Sequence, residues 1–313
     1  MPDKADTVPV TILMAVYNGQ AYLPAQLDSI AAQDHDNWHL LISDDGSTDD
    51  SRRIAGAFAR KTARATVLSG PGQGGTANFM QLIRSMAAHA PPDSGLAFSD
   101  QDDVWLPEKL SRAVTMLAPH HATPALYCSR SFITDEALRS RRLSAPRPHP
   151  PGFENALVQN IASGNTIVLN PAASALIRRA AATTPEPVVH DWWVYQLITG
   201  AGGVVVHDDR PGLLYRQHGV NQIGANDTTR ARAKRIAMLL RGDFRQWNEI
   251  NIAALRATAG MLTDRNRATL EAFAALRQQG VLGRLAALRR LRLYRQSLPG
   301  TAALWLSAVL GRL

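Results

Sequence analysis

The sequence predicts an α/β protein: a doubly wound, mainly parallel sheet followed by a C-terminal helical extension. Three observations carry this expectation. Short apolar runs alternate with helical patterns through roughly the first 130 residues, as βαβ units require. With 45% hydrophobic and 19% charged residues, the 313-residue chain can bury a core, which excludes disorder as its main state. Beyond about residue 228 the apolar spacing is helical throughout, with no strand signal.

Taken in order, residues 10–16, 39–43, 65–69, 96–99 and 125–129 read as buried strands. Residues 21–32, 49–61, 76–89 and 107–118 read as the intervening helices. Ser47, with Asp50 three residues later, offers a capping-box start for the second helix. After Ser131 the rhythm breaks, and 139–152, rich in Arg, Pro and His, reads as an exposed loop. Strand-like runs return at 166–169, 203–207 and 212–216, with helices at 171–182 and 191–199. A boundary near Ala225 divides the chain into a domain over 1–225 and a basic helical region over 226–313.

Charge is placed unevenly. Residues 1–229 hold 18 Lys+Arg against 22 Asp+Glu, whereas residues 230–313 hold 16 against 4. An acidic-lined site in the first segment and an anionic surface partner for the second are expected. The single cysteine, Cys128, excludes an intramolecular disulfide framework and Cys-based zinc sites. No secretory leader is expected, and no run reaches the ~18–20 apolar residues of a spanning helix. A cytoplasmic protein, soluble or peripheral, is the expectation.

Two acidic segments follow strands. Phe98-Ser-Asp-Gln-Asp-Asp-Val-Trp105 puts Asp100, Asp102 and Asp103 where open α/β sheets bind ligands. Three carboxylates in four residues repel one another unless a cation or hydrogen bonds compensate. A divalent ion held by one or two carboxylates plus substrate phosphates is one resolution; a solvated turn with Asp103 capping the next helix is the other. Ser43-Asp-Asp-Gly-Ser-Thr-Asp49 also ends a strand, and reads either as a base- or ribose-binding acid or as ordinary turn chemistry.

Val10-Thr-Ile-Leu-Met-Ala-Val-Tyr-Asn18, then Asp44-Asp45-Gly46-Ser47, then Asp100-Gln101-Asp102-Asp103, in this order and spacing, resembles glycosyltransferase family 2 across roughly residues 8–225. The resemblance implies a GT-A fold and inverting transfer from a nucleotide-sugar. It places Ala15, Tyr17 and Asp45 on the nucleotide, Asp100 on the ribose or sugar, and Asp102 on Mg²⁺ or Mn²⁺. In His190-Asp-Trp-Trp193 it makes Asp191 the catalytic base; from the residues alone, that aspartate also reads as a helix cap beside two core tryptophans.

Tyr215-Arg-Gln-His-Gly219 and Asn221-Gln-Ile-Gly224 look like the subgroup containing many rhamnosyltransferases. That likeness adds His218 as a metal ligand and Arg216 as a partner for the diphosphate. Asn165 would border the donor sugar, and Asn78, after a Gly-rich turn that lacks the Walker ending, would lie near the nucleotide. The Gln-x-x-Arg-Trp motif of processive synthases is absent, which favours transfer of a single sugar. A dTDP- or UDP-linked donor, with dTDP-rhamnose preferred, and a glycan or polyprenyl-linked acceptor of bacterial surface-glycan synthesis are implied. A nucleotidyltransferase would place a basic Gly-rich loop where Tyr17-Asn18-Gly19 stands; a non-catalytic nucleotide-sugar scaffold is the other alternative.

In the tail, Arg284, Arg289, Arg290, Arg292 and Arg295 interleave with leucines, and 301–313 is apolar. An anionic membrane surface at the inner face of the cytoplasmic membrane is the expected partner, with a basic cap on the catalytic domain as the alternative. No nucleic-acid motif accompanies the charge.

Overall fold

The computed structural model describes residues 8–219 and 242–313. The expected boundary at Ala225 and the segment Asn221–Gly224 lie outside these residues. The strands are β1 Val10–Val16, β2 Trp38–Asp44, β3 Ala65–Ser69, β4 Gly95–Ser99, β5 Val104–Trp105, β6 Ala125–Thr134, β7 Arg141–Leu143, β8 Val168–Leu169 and β9 Val204–Arg216. They form one sheet in the order β3-β2-β1-β4-β8-β6-β9-β5, with β7 paired to β6.

The β3-β2-β1-β4 half is wholly parallel, and β6 also runs parallel to β9. β8 runs antiparallel to both β4 and β6, and β5 antiparallel to β9, so the far half is mixed. β1, with sequence VTILMAV, is buried along nearly its whole length because helices cover both faces. One face packs against α1 Leu23–Ala31, α2 Ser51–Thr62 and α4 Lys109–Leu117. The other packs against α3 Gly75–His89, α5 Phe153–Ala156, α6 Pro171–Ala181 and α7 His190–Gly200. This is a GT-A-like doubly wound architecture. The helix α7 is apolar on nearly every side and buried except at Asp191, as expected of a helix inside the core.

Several expected elements differ in detail. The runs 203–207 and 212–216 are one strand, β9, because a bulge opposite Ser129 and Arg130 absorbs the Asp209–Pro211 stretch without breaking the ladder. At that bulge Asp208 accepts from the Arg112 guanidinium and from Tyr127 Oη at 2.8 Å, which satisfies a buried carboxylate. In the expected loop 139–152, β7 pairs with β6. Helix α2 starts at Ser51 rather than under a Ser47 capping box, because the Ser47 hydroxyl is committed to Asn18 N–H at 2.9 Å.

The C-terminal region is helical, as expected. Its helices are α8 Asp243–Arg256, α9 Asp264–Ala275, α10 Val281–Arg290 and α11 Leu298–Val309. Leu255, Phe273, Leu288, Leu304 and Leu313 are buried in the same core cluster as α7. These helices therefore cap the catalytic core as well as carrying charge. Leu288→Ala should destabilise the whole chain by about 2–4 kcal/mol in urea unfolding followed by tryptophan fluorescence. An unchanged midpoint would show α10 to be independent of the core.

Candidate active site

The site is assembled at the C-terminal ends of β1, β2 and β4. Tyr17 follows β1 with its ring 57% exposed, open to a stacking partner. Its backbone is clamped by Gln101: Tyr17 N–H donates to Oε1 at 2.9 Å, and Nε2 donates back to the Tyr17 carbonyl at 3.0 Å. A Cβ at Gly19 would fall 2.3 Å from Gln101 Oε1, so only glycine leaves room for this clamp. Asn18 takes a left-handed φ of 46° and accepts from Thr48 N–H at 2.8 Å, binding the first two loops together.

Asp45 sits beyond β2 and holds the Gly-rich turn. Its two carboxylate oxygens accept from Gly72 N–H and Gly74 N–H, each at 2.7 Å. Both glycines have positive φ, 69° and 92°, which lets the turn present both N–H groups to one carboxylate. Asn78 was expected near the nucleotide. Its side chain is instead fully buried, donating to the Ser43 carbonyl at 3.0 Å, so it braces the end of β2 from beneath. Ala15 is partly exposed and pairs with Ser43 in the β1–β2 register.

The acidic loop after β4 is not a solvated turn. Asp103 is wholly buried and accepts from Asn165 Nδ2 at 2.6 Å and from Arg216 N–H at 3.3 Å, so it does not cap α4. Burial pushes its carboxyl well above the ordinary range, aided by the charges of Asp100 and Asp102, while the two donors act in the opposite sense. Burial likewise drives Asp100 up to about 7, with Asp102 and Asp191 adding repulsion. Beneath the loop lies Lys109, also buried. Its ammonium donates to the Asn165 carbonyl at 2.8 Å and stands 3.3 Å from the centroid of the Trp105 ring. Burial lowers its pKa well below that of a free lysine.

Asp102 Oδ2 and His218 Nε2 meet at 2.7 Å, near the end of β9. Arg216 donates through Nε to the Asp102 carbonyl at 2.9 Å and through Nη1 to the Glu136 carbonyl. Tyr22 is the platform beneath both. The His218 ring lies 4.6 Å from the Tyr22 ring, the Arg216 guanidinium lies 4.9 Å from it, and Tyr22 Oη donates to Glu136 at 2.6 Å. Among the described residues, no group of three or more His, Cys, Asp or Glu side chains converges on one point. A converging carboxylate–imidazole pair suits an ion whose remaining ligands are substrate phosphate oxygens and water, so the donor set fits Mg²⁺ or Mn²⁺ bound together with a diphosphate.

Asp191 occupies the first turn of α7. One oxygen accepts from Gly164 N–H at 2.9 Å and the other from Trp192 N–H at 2.6 Å, with Asn160 donating as well. Burial nevertheless raises its carboxyl to about 6. The neighbouring His190 stacks on Phe79 at 3.9 Å, and burial lowers its pKa to about 3, so it packs as a neutral ring. The short helical turn Gly164–Thr166 thus touches both halves of the site: Gly164 holds Asp191, and Asn165 holds Asp103 and receives Lys109.

With this geometry in place, similarity to known proteins becomes informative. Residues 11–183 match the family described as Glycosyl transferase family 2. The chain belongs to that family. Among curated relatives, the dTDP-rhamnosyl transferase RfbG of Shigella flexneri is 27% identical over 233 residues, 72% of this chain and 78% of its own. The Escherichia coli enzyme WfgD, a UDP-Glc:alpha-D-GlcNAc-diphosphoundecaprenol beta-1,3-glucosyltransferase, is 31% identical over 108 residues, 34% of this chain and 40% of its own. In fold, the chain resembles residues 1–349 of S. aureus TarS in complex with UDP-GlcNAc, at a TM-score of 0.56 and 16% identity, over 85% of this chain and 71% of that one. The chain is a glycosyltransferase that moves a sugar from a nucleotide-sugar to an acceptor.

Sequence reading missed Gln101, Tyr22, Asn160 and Lys109. A signal was present for two of them: Gln101 lies inside the acidic motif, and Lys109 is a charge among the apolar positions of α4. Asn165→Ala should strand the buried Asp103 carboxyl and cost about 1–3 kcal/mol in denaturant unfolding. Stability equal to wild type would mean that water replaces the amide.

Proposed function

We propose that this glycosyltransferase is metal-dependent and inverting, and moves one rhamnose from dTDP-rhamnose to a lipid-linked glycan acceptor in bacterial surface-glycan synthesis. The observation carrying the mechanism is the turn at Gly164–Thr166, which links the acidic loop at Asp103 to the carboxylate of Asp191. The likeness to RfbG supports the donor, and the lipid-diphosphate acceptor named for WfgD supports the acceptor class. The anionic inner face of the membrane would present such an acceptor.

The nucleotide base stacks on Tyr17, and Asp45 with its glycine turn borders the base and ribose. Asp100 faces the ribose or sugar, with Asn165 behind it. Ala15 lines the cleft floor and Asn78 supports it from below. Asp102 and His218 would hold Mg²⁺ or Mn²⁺, which supplies charge neutralisation for the departing diphosphate. Arg216 steadies this corner of the site through its bonds to the Asp102 and Glu136 carbonyls.

Asp191 accepts the proton of the acceptor hydroxyl as that oxygen attacks the anomeric carbon. The bond from that carbon to the diphosphate oxygen breaks on the opposite face, and the configuration inverts. Positioning and charge stabilisation therefore make up most of the protein's contribution.

Asp191→Asn should lower kcat by about 10²–10⁴ while leaving donor affinity intact, read by product formation and by nucleotide binding separately. Near-wild-type turnover would place the base elsewhere. Because burial raises the Asp191 carboxyl to about 6 and a base acts only when ionised, kcat/KM should fall as pH drops through about 6. A flat profile from pH 5 to 8 would contradict this assignment. Asp102→Ala, or chelation by EDTA, should abolish transfer; full activity of metal-stripped protein in EDTA would remove the ion from the reaction. A panel of nucleotide-sugars scored for transfer tests the choice of dTDP-rhamnose.

A further inference from the structure

We propose that the end of the α10–α11 hairpin where α10 begins and α11 finishes is a docking surface for an anionic lipid bilayer. This deepens the reading of a lipid-linked acceptor and rests on it. The two helices lie antiparallel, so the start of α10 meets the end of α11: Arg284 Nη2 donates to the Val309 carbonyl at 3.3 Å. Just before α10, Arg277 Nε donates to the Leu313 carbonyl at 3.1 Å. The inward faces, including Ala287, Leu288, Leu304 and Ala308, belong to the core.

The outward faces at this end do not. Val281, Leu282, Leu306, Val309 and Leu310 are exposed, Leu282 to 84% and Leu306 to 50%. They make up five of the eight large apolar side chains exposed among the described residues. Single exposed leucines need no explanation, but a cluster gathered at one helical tip does.

Charge identifies the occupant. Residues 272–313 carry seven arginines and no aspartate or glutamate. Arg284 and Arg312 stand at the apolar end itself, and Arg289, Arg290 and Arg292 lie exposed along the same hairpin. A second copy of this chain would bring like charges together, which opposes self-association. An anionic leaflet satisfies both features: headgroups receive the arginines while the leucines enter the acyl boundary. The apolar tip is only a few residues wide, so apolar insertion and headgroup attraction must act together. Leu288 and Leu293 point into the core, and the tip alone is left for lipid.

The test uses the full chain, co-sedimented with phosphatidylcholine vesicles and with vesicles containing phosphatidylglycerol, at low and high salt. Donor hydrolysis is measured in the same samples. Binding should require phosphatidylglycerol and weaken as salt rises. Leu282→Glu and Leu310→Glu should each reduce binding about tenfold, since each removes one inserted side chain. Both variants should keep wild-type donor hydrolysis, because neither residue lies in the active site. Four outcomes would overturn the proposal: no vesicle binding by wild type, equal binding to both vesicle types at all salt concentrations, wild-type binding by the Leu282→Glu/Leu310→Glu double variant, or a wild-type dimer that Leu282→Glu dissociates. Vesicle binding without any turnover of dTDP-rhamnose would instead count against the proposed donor and leave the docking surface standing.

Discussion

A carboxyl group removed from water organises the centre of this protein. Asp103 has no solvent to bond with, so its oxygens must find donors within the fold. They find them on two segments distant in sequence, the side chain of Asn165 and the backbone of Arg216. Lys109 lies beneath and returns to the Asn165 carbonyl. One buried acid thereby fixes the relation of β4, β9 and the Gly164–Thr166 turn. Asp102 and Asp191 stand on elements that this arrangement holds in place. Replacing a member of such a network leaves its partners unsatisfied, which is why partial loss costs more than absence of the whole.

The side of the cleft formed by Tyr17 and Asp45 is built on a similar economy of backbone groups. Asp45 gathers two glycine N–H groups, and Gln101 pairs with both backbone groups of Tyr17, as a neighbouring strand would. Both devices hold loops rigid at strand ends, where the sheet no longer does so. A rigid cleft suits the proposed inverting transfer, in which the protein forms no bond to the substrate and works by alignment.

The C-terminal helices present two different faces. Their inner leucines complete the core under α7, so the catalytic domain depends on them for stability. Their outer face concentrates arginine and, at one end, leucine. Capping and surface attachment had stood as alternatives when only the sequence was considered. Packing shows the capping, and the two faces of the hairpin leave room for the proposed attachment as well.

The order of elements was legible without coordinates. The strands 10–16 and 65–69 have the bounds expected of them: β1, buried almost throughout, is a continuous apolar run, and β3, a half-buried edge strand, is bounded by Arg64 and by Gly70-Pro71. The three acidic and polar motifs were also legible, since strand ends are where such residues gather. Sequence alone thus determined the fold class and the family. Partners distant in the chain were beyond it. Nothing local to Asp103 announces Asn165, 62 residues away, and nothing local to Asp102 announces that His218 lies 2.7 Å from it. Nothing local to Asn78 announces its bond to the Ser43 carbonyl, and Ser47 looked like a cap until Asn18 claimed its hydroxyl. Local propensity and periodicity report a residue's near neighbours. Which buried polar group meets which is set by burial of the whole chain, because only the complete packing decides where water is excluded and where a donor must replace it.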